Sequence, residues 1–161
     1  MTMRKQGKPP VEEGKKALLL DKYKKEYLLV WDVIDEEDNQ SYEAIKVINP
    51  TEQSIKELLI DYYNLKCQQE IITGMVFEEH PVWLSQENQL NYQAAWDFAK
   101  DAEEMTPLKI KLGTDFQPIY RTFTTKADLQ IFISAVHYHI QNTLEKYWEI
   151  KDSINWDEYV L

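Results

Sequence analysis

The stretch PLKIKLGTDFQPIYRTFTTKADL, residues 107–129, contains a β-hairpin signal followed directly by a helix start. Apolar and lysine residues alternate through LKIKL, which is the pattern of a strand with one buried face. The letters GTD indicate a turn, after which the chain returns through residues 119–123 as a second strand. Thr125, followed three residues later by Asp128, is typical of a helix N-terminus. A hairpin that leads into a helix favours an α+β fold.

A second hairpin is predicted near the start of the chain. EYLLVWDVI at residues 26–34 and SYEAIKVI at residues 41–48 both alternate with the period of a strand. The polar run DEEDNQ between them, centred on Glu37 and Asp38, is expected to form the turn. This composition resembles a calcium loop only superficially, because the alternating ligands and the central glycine are missing.

Two further helices are predicted between the hairpins. Asn49 is expected to cap the first helix, with Pro50 at its first position and Glu52 as the capping carboxylate. Gly74 ends this helix, and Ser85 begins the next one. The intervening run MVFEEHPVWL contains a proline, so we expect an edge strand or an irregular segment there.

These signals give the order β-β-α-β-α-β-β-α, an α+β fold with two β-hairpins, three helices and a long C-terminal helix. We expect a single α+β domain over residues 26–161, preceded by an extended N-terminal arm at residues 1–25 that is basic, largely disordered and used for docking. The side chains expected to be buried in the core are Trp31, Leu58, Trp96, Phe98, Phe123, Phe132, Ile133, Val136 and Ile140.

Charge is unevenly distributed along the chain. The formal net charge is −10, yet residues 1–27 hold eight basic and four acidic residues. The acidic remainder argues against nucleic acid as the main ligand, because it repels phosphate groups. Residues 1–16 have little apolar material, so we expect them to be disordered until bound. Such a basic segment can contact nucleic acid, but more often it is a solvated tail or an arm that docks on an acidic partner. The docking residues would be Arg4, Lys5, Lys8, Lys15 and Lys16.

The last helix is predicted to be as long as the domain is wide. A helix from Lys126 to Ile154 would span ~43 Å at 1.5 Å per residue, against a domain diameter of ~40 Å. Its distal aromatic residues would then form a surface for a partner protein or for a second copy of the chain. Alternatively, other elements cover this end, or the helix breaks near Asp152. The residues predicted for self-association are Leu144, Tyr147, Trp148, Ile154 and Trp156.

Few residues suggest catalysis. His137 and His139 lie two apart on a helix, so they point ~200° away from each other and cannot bind one ion. We expect one of them to be partly buried and the other exposed. Cys67 has no basic cluster around it and is interpreted as a packing residue. The alternative is a small metal-dependent hydrolase with His80 and nearby carboxylates as ligands. We predict no catalytic, metal or cofactor residues, and a protein that is not an enzyme.

The C-terminal half also carries a series of short motifs. Their residues are Ser85, Asn88 and Asn91, then Gly113 and Asp115, then Thr125, Asp128 and Leu129, then Lys151 and Ile154. This half resembles a domain of unknown function that recurs in phage tail-fibre and fibre-assembly proteins. The whole chain is similar to small virion proteins of crAss-like phages, which infect Bacteroides.

The resemblance implies a non-enzymatic structural protein of a tailed-phage virion. In this interpretation the chain is made in the bacterial cytoplasm and located in the virion, as a head-fibre, tail-fibre or capsid-associated protein. Its N-terminal arm would dock on capsid, fibre or tail subunits, and the chain would form a homodimer. The alternative is a fibre-assembly chaperone that is absent from the mature particle. Neither a secretory signal nor a membrane span is expected.

Overall fold

The computed structural model describes residues 3–36, 39–104 and 106–161. Helices and strands are mixed along the chain, which confirms the predicted α+β class. The predicted turn at Glu37 and Asp38 lies outside the described residues. The described elements are β1 (Met3–Gln6), β2 (Ala17–Asp21), β3 (Glu26–Glu36), β4 (Asn39–Ile48), α1 (Glu52–Thr73), β5 (Met75–Phe77), β6 (His80–Val82), α2 (Gln86–Lys100), β7 (Leu108–Lys111), β8 (Tyr120–Phe123), α3 (Lys126–Asp152) and a short 3-10 helix (Trp156–Tyr159).

The chain divides into two compact units rather than into an arm and a domain. Unit 1 contains Met1–Asp61 together with Ser153–Leu161, and unit 2 contains Tyr62–Asp152. The boundary expected at residue 25 does not separate units, because the strands on both sides of it belong to one sheet.

Unit 1 is built on a four-stranded antiparallel sheet with the strand order β1-β4-β3-β2. The prediction that the N-terminal arm is disordered is therefore wrong for residues 3–6 and 17–21, which form the two edge strands. Composition alone missed β1 because its order comes from pairing with the distant strand β4, whereas β2 pairs with the next strand, β3, in a local hairpin. β1 pairs with β4, so that Arg4 lies opposite Glu43.

Both faces of this sheet are covered. On one face, a cluster of buried side chains is packed against Val11 and Leu18, and its members are Leu28, Val30, Tyr42 and Ala44. On the other face, Leu29 and Trp31 are almost fully inaccessible to solvent. Because successive residues of a strand point to opposite faces, four consecutive buried residues in β3 require cover on both sides.

The start of α1 differs from the predicted cap. Thr51 Oγ1 accepts a 3.1 Å bond from the backbone N–H of Ser54, and Ser54 Oγ accepts one of 2.9 Å from the N–H of Thr51. This reciprocal pair is a capping box made by two hydroxyls. Asn49 is not the cap; it has a φ of +49° and its N–H donates to the carbonyl of Lys25 at the end of the hairpin.

Unit 2 has its own core, centred on Phe132 of α3. The rings of Phe77 and Tyr92 each lie 5.0 Å from the Phe132 ring in edge-to-face geometry, and Phe123 lies 5.3 Å away. Such ring pairs add about 0.5–1.5 kcal/mol beyond the buried area. The buried members of this core are Met75, Val82, Leu84, Tyr92, Ala99, Ile110, Leu112, Phe123, Leu129, Phe132 and Val136.

The predicted core is confirmed only in part. Trp31, Phe123, Phe132 and Val136 are buried. Four others are half-buried: Leu58, Trp96, Ile133 and Ile140. Phe98 is 68% exposed, so its assignment to the core is wrong. The helix α2 instead turns Tyr92 and Ala99 inward.

The end of α1 is held by the rest of unit 2. The ring of His139 places Nε2 3.1 Å from the carbonyl oxygens of Glu70 and Ile71, and the N–H of Leu84 donates to the carbonyl of Ile72. These contacts satisfy carbonyl groups that a helix C-terminus leaves without helical partners. Gly74 is required there, because a Cβ atom would lie 2.6 Å from the carbonyl oxygen of Glu70.

Candidate functional site

A cleft of about 600 Å³ opens in unit 2 between α2 and β7. Its volume lies within the range of ~300–1,000 Å³ that is typical of small-ligand sites. One wall is a face of α2, on which Asn88, Asn91 and Ala95 follow at helical spacing. The other wall is β7 and the turn after it, from Leu108 to Asp115.

The position of the α2 wall is fixed by its own N-terminus. Ser85 caps the helix by accepting a 3.2 Å bond from the N–H of Asn88, and the side-chain amide of Asn88 donates a 2.7 Å bond to the carbonyl of Trp83. Trp83 is 36% exposed and lines the cleft beside them. Asn91 and Glu87 also line it, and their side chains make no hydrogen bond with any residue that the structure describes.

A buried tyrosine joins the two walls. The hydroxyl of Tyr92 donates a 2.8 Å bond to the carbonyl of Lys111 in β7. Burial raises the pKa of Tyr92 to about 12, because the phenolate would lose its hydration. The hydroxyl therefore remains a donor at neutral pH and fixes α2 against β7.

The turn after β7 depends on a glycine. A Cβ atom on Gly113 would collide with the backbone carbonyl of Gln117 and would lie 2.8 Å from the backbone nitrogen of Ile119. The ammonium of Lys111 pairs with the carboxylate of Asp115 in the same turn, which raises the pKa of Lys111. The turn is therefore tightly closed and forms a defined wall of the cleft.

Five of the residues that carry the family resemblance line this cleft: Ser85, Asn88, Asn91, Gly113 and Asp115. The sequence could not show that they meet, because they lie on segments more than 20 positions apart. It also did not single out Trp83, Glu87 or Lys109, whose surroundings in the chain carry no motif. The two segments are joined by the bond from the Tyr92 hydroxyl to Lys111 and by a bond from the N–H of Trp83 to the carbonyl of Leu112.

The predicted docking residues separate into two groups. Arg4 is committed within unit 1: its guanidinium bonds Ser41 Oγ at 2.9 Å and the Asp32 carboxylate at 2.9 Å. Lys16 pairs with Glu158 at 2.7 Å. These two residues hold the sheet together, so their assignment to docking is corrected. Three lysines of the predicted set remain exposed to solvent: Lys5, Lys8 and Lys15.

The predicted self-association residues are also divided. Tyr147 is 7% exposed and its hydroxyl donates a 2.9 Å bond to Glu70, so it is a core residue and not an interface residue. Leu144 is half-buried, whereas Trp148 is 47% exposed. The helix α3 ends at Asp152, which agrees with the alternative prediction of a break near that residue. Ile154 and Trp156 belong to unit 1 and are half-buried there.

The remaining residues considered for catalysis or metal binding are His137, His139, Cys67 and His80. His137 is exposed and His139 is half-buried, which confirms the expected contrast. Burial raises the pKa of the Cys67 thiol. His80 is exposed, and the neighbouring Glu78 is bound by Arg121 at 2.8 Å. Within the described ranges, no cluster of three or more His, Cys, Asp or Glu residues could hold a metal ion.

Exposed apolar side chains follow one face of α2. Leu90 is 71% and Phe98 is 68% exposed, with Ala94 exposed between them at the spacing of successive helical turns. Phe98 was predicted to be a core residue because an apolar stripe has the same sequence pattern whether it faces the core or solvent.

Comparisons with family models, with curated proteins and with solved structures found no match to this chain. None of the helices over the described ranges combines the length and the apolarity that crossing a membrane requires. The site must therefore be interpreted from its own geometry.

Proposed function

We propose that this chain is a non-enzymatic structural protein of a tailed-phage virion, a fibre or adaptor subunit that contacts other virion proteins. The proposal rests on the resemblance of the C-terminal half to phage fibre-associated domains. One observation supports it: most of the residues that carry the resemblance have contacts that build unit 2.

Through those contacts the residues cap helices, close turns or pack in the core, which are structural roles. Ser85 caps α2, and Thr125 caps α3 by accepting a 3.1 Å bond from the N–H of Asp128. Leu129 is fully buried, and Lys151 donates a 2.8 Å bond to Asn64. A motif composed of such residues specifies a scaffold, which is what a structural subunit needs.

Docking in this proposal uses an ordered N-terminal surface. Lys5 lies on the edge strand β1, and Lys8 and Lys15 lie in the segment that joins β1 to β2. An exposed edge strand that carries lysine is protected from non-specific strand pairing, while its charge remains available to an acidic partner. The acidic partner would be a capsid or tail subunit, and the chain itself would act as a homodimer.

The first experiment is a comparison of purified phage particles with the lysate of the same infection, probed with an antibody against this chain. A structural subunit is retained in the particles at a fixed ratio to the major capsid protein. A fibre-assembly chaperone is present in the lysate and absent from the particles. Its absence from the particles would replace the structural proposal by the chaperone.

Docking is tested with a charge reversal, Lys5→Glu with Lys8→Glu. We expect reduced incorporation into particles, because an acidic partner would repel the altered surface. The matched control is Lys66→Glu with Lys100→Glu, which makes the same change of net charge on helices of unit 2. Equal incorporation of both variants would exclude the N-terminal surface as the docking site.

A further inference from the structure

We propose that the cleft between α2 and β7 binds a neutral oligosaccharide. The proposal does not depend on a role in a virion, because it follows from the side chains that line this cleft. Three properties lead to it: an exposed aromatic surface, hydrogen-bonding groups without a partner among the described residues, and lining side chains whose formal charges sum to zero.

The aromatic surface is Trp83, which is 36% exposed where it lines the cleft. The face of an indole ring carries partial negative charge and attracts groups with partial positive charge. The C–H bonds on one face of a pyranose ring are such groups, and they present a flat apolar surface of similar size. A half-exposed tryptophan in a polar cleft therefore suits a sugar ring better than it suits a fully polar ligand.

The unused hydrogen-bonding groups are an amide and a carboxylate on α2. Asn91 has a complete carboxamide, a donor and an acceptor, without a partner among the described residues, and the carboxylate of Glu87 accepts no hydrogen bond from them. Asn88 uses its amide nitrogen on Trp83 and keeps its side-chain oxygen. Amide and carboxylate groups bind adjacent hydroxyls well, because each hydroxyl both donates and accepts.

The charges of the cleft argue against an anionic ligand. The ammonium of Lys111 is paired with Asp115, and that of Lys109 lies 4.6 Å from the centre of the Tyr120 ring. The charged residues that line the cleft are the acids Glu87 and Asp115 and the lysines Lys109 and Lys111, so their formal charges sum to zero. A phosphate or a uronic acid would therefore meet no net positive charge here.

The backbone of β7 argues against an extended peptide. Among the strands that the structure describes, β7 pairs with β8 alone, and the cleft separates β7 from α2. Two backbone carbonyl groups at the C-terminal end of β7 already accept hydrogen bonds. Lys111 accepts one from the Tyr92 hydroxyl and Leu112 accepts one from the N–H of Trp83, both at 2.8 Å. A peptide could not add as a strand along β7 without breaking both bonds.

The test is an NMR chemical-shift titration of the isotope-labelled full chain with cellotriose, maltotriose, chitotriose and mannotriose. Each is added to about 10 mM, which loads a site with a dissociation constant of ~1 mM. We expect at least one trisaccharide to shift the amides of residues 83–92 and 109–115. Trigalacturonate, an anionic trisaccharide, is expected to shift them less.

The decisive variant is Asn91→Ala, because Asn91 makes no structural bond that its loss could disturb. Asn91→Ala should weaken binding at least tenfold, and Trp83→Leu should do the same through loss of stacking. The control is Asn142→Ala, an exposed asparagine on α3 outside the cleft, which should leave the affinity unchanged.

Several outcomes would overturn the proposal. The absence of shifts with all four neutral trisaccharides excludes an oligosaccharide site. Stronger binding of trigalacturonate shows that the cleft selects anions. Binding that survives both Asn91→Ala and Trp83→Leu places the sugar elsewhere on the chain.

Discussion

The hydroxyl of Tyr147 on α3 donates a 2.9 Å hydrogen bond to the carboxylate of Glu70 on α1. The same carboxylate accepts two bonds of 2.8 Å from Lys146. One carboxylate therefore joins α1 and α3 through a neutral and a charged donor. The bonds from Lys146 and Tyr147 hold the pKa of Glu70 below its usual value of 4.5.

This pKa shift makes the stability of unit 2 dependent on pH. A carboxyl group with a lowered pKa in the folded state contributes its full stabilisation above 4.5, and loses it as the pH falls through the folded pKa. Glu70→Gln should lower the free energy of unfolding by about 1 kcal/mol at pH 7, a modest value because solvent screens the pair. Urea unfolding at pH 7 and at pH 3 measures this.

At pH 3 the difference in the free energy of unfolding between wild type and Glu70→Gln should be smaller than at pH 7. Protonation of Glu70 in the wild type then begins to remove the charge that the substitution removes. The control is Glu149→Gln on an exposed position of α3, which should change stability little at either pH. An equal loss at both pH values would show that the charge of Glu70 is not what stabilises the contact.

The edge strand β1 should depend on Arg4. Glu43 is only 7% exposed, and the Arg4 guanidinium lies 3.8 Å from its carboxylate and 2.9 Å from that of Asp32. Arg4→Ala leaves a buried carboxylate without this cation, which should cost about 1–3 kcal/mol. Hydrogen exchange should show lost protection in residues 3–6, with β3 still protected.

The matched control is Lys5→Ala, an exposed position on the same strand that makes none of these contacts. It should retain the protection of β1. If Arg4→Ala retains it as well, backbone pairing with β4 is sufficient to order the strand.

The turn after β7 should tolerate no side chain at Gly113. Gly113→Ala forces a Cβ atom against two backbone groups, so we expect a loss of about 1–3 kcal/mol and altered chemical shifts along the cleft wall. Gly14→Ala is the comparison, because Gly14 has a φ of +75° but open space around it. It should cost about 1 kcal/mol at most and leave the cleft unchanged. Equal effects of both variants would rule out the steric explanation.

The proposed homodimer should depend on Trp148. Light scattering of the purified chain at several concentrations should give the mass of a dimer. Trp148→Lys should shift this mass towards that of the monomer, because the indole is 47% exposed and would lose its contact area in the interface. Tyr138→Lys, on the same helix and 67% exposed, is the control and should remain dimeric. A monomeric wild-type chain at every concentration would contradict the dimer.

Local signals were predictable from the sequence, and contacts between distant residues were not. The caps at Ser85 and Thr125 and the hairpin between them were identified because their determinants lie within a few residues. The strand β1 was missed because its anchor, Arg4, binds residues 28 and 37 positions away. The cleft was missed for the same reason, since Tyr92 reaches β7 across 19 positions.

Unit 1 is assembled from both ends of the chain, and this fixes the order in which it can be completed during synthesis. The hydroxyl of Tyr159 donates to the carbonyl of Val30 at 3.1 Å, and Glu158 pairs with Lys16. The sheet strands leave the ribosome first, but the residues that close their core leave last, after all of unit 2. Unit 1 therefore cannot be completed until residues 153–161 have been synthesised, which follows the synthesis of every residue of unit 2.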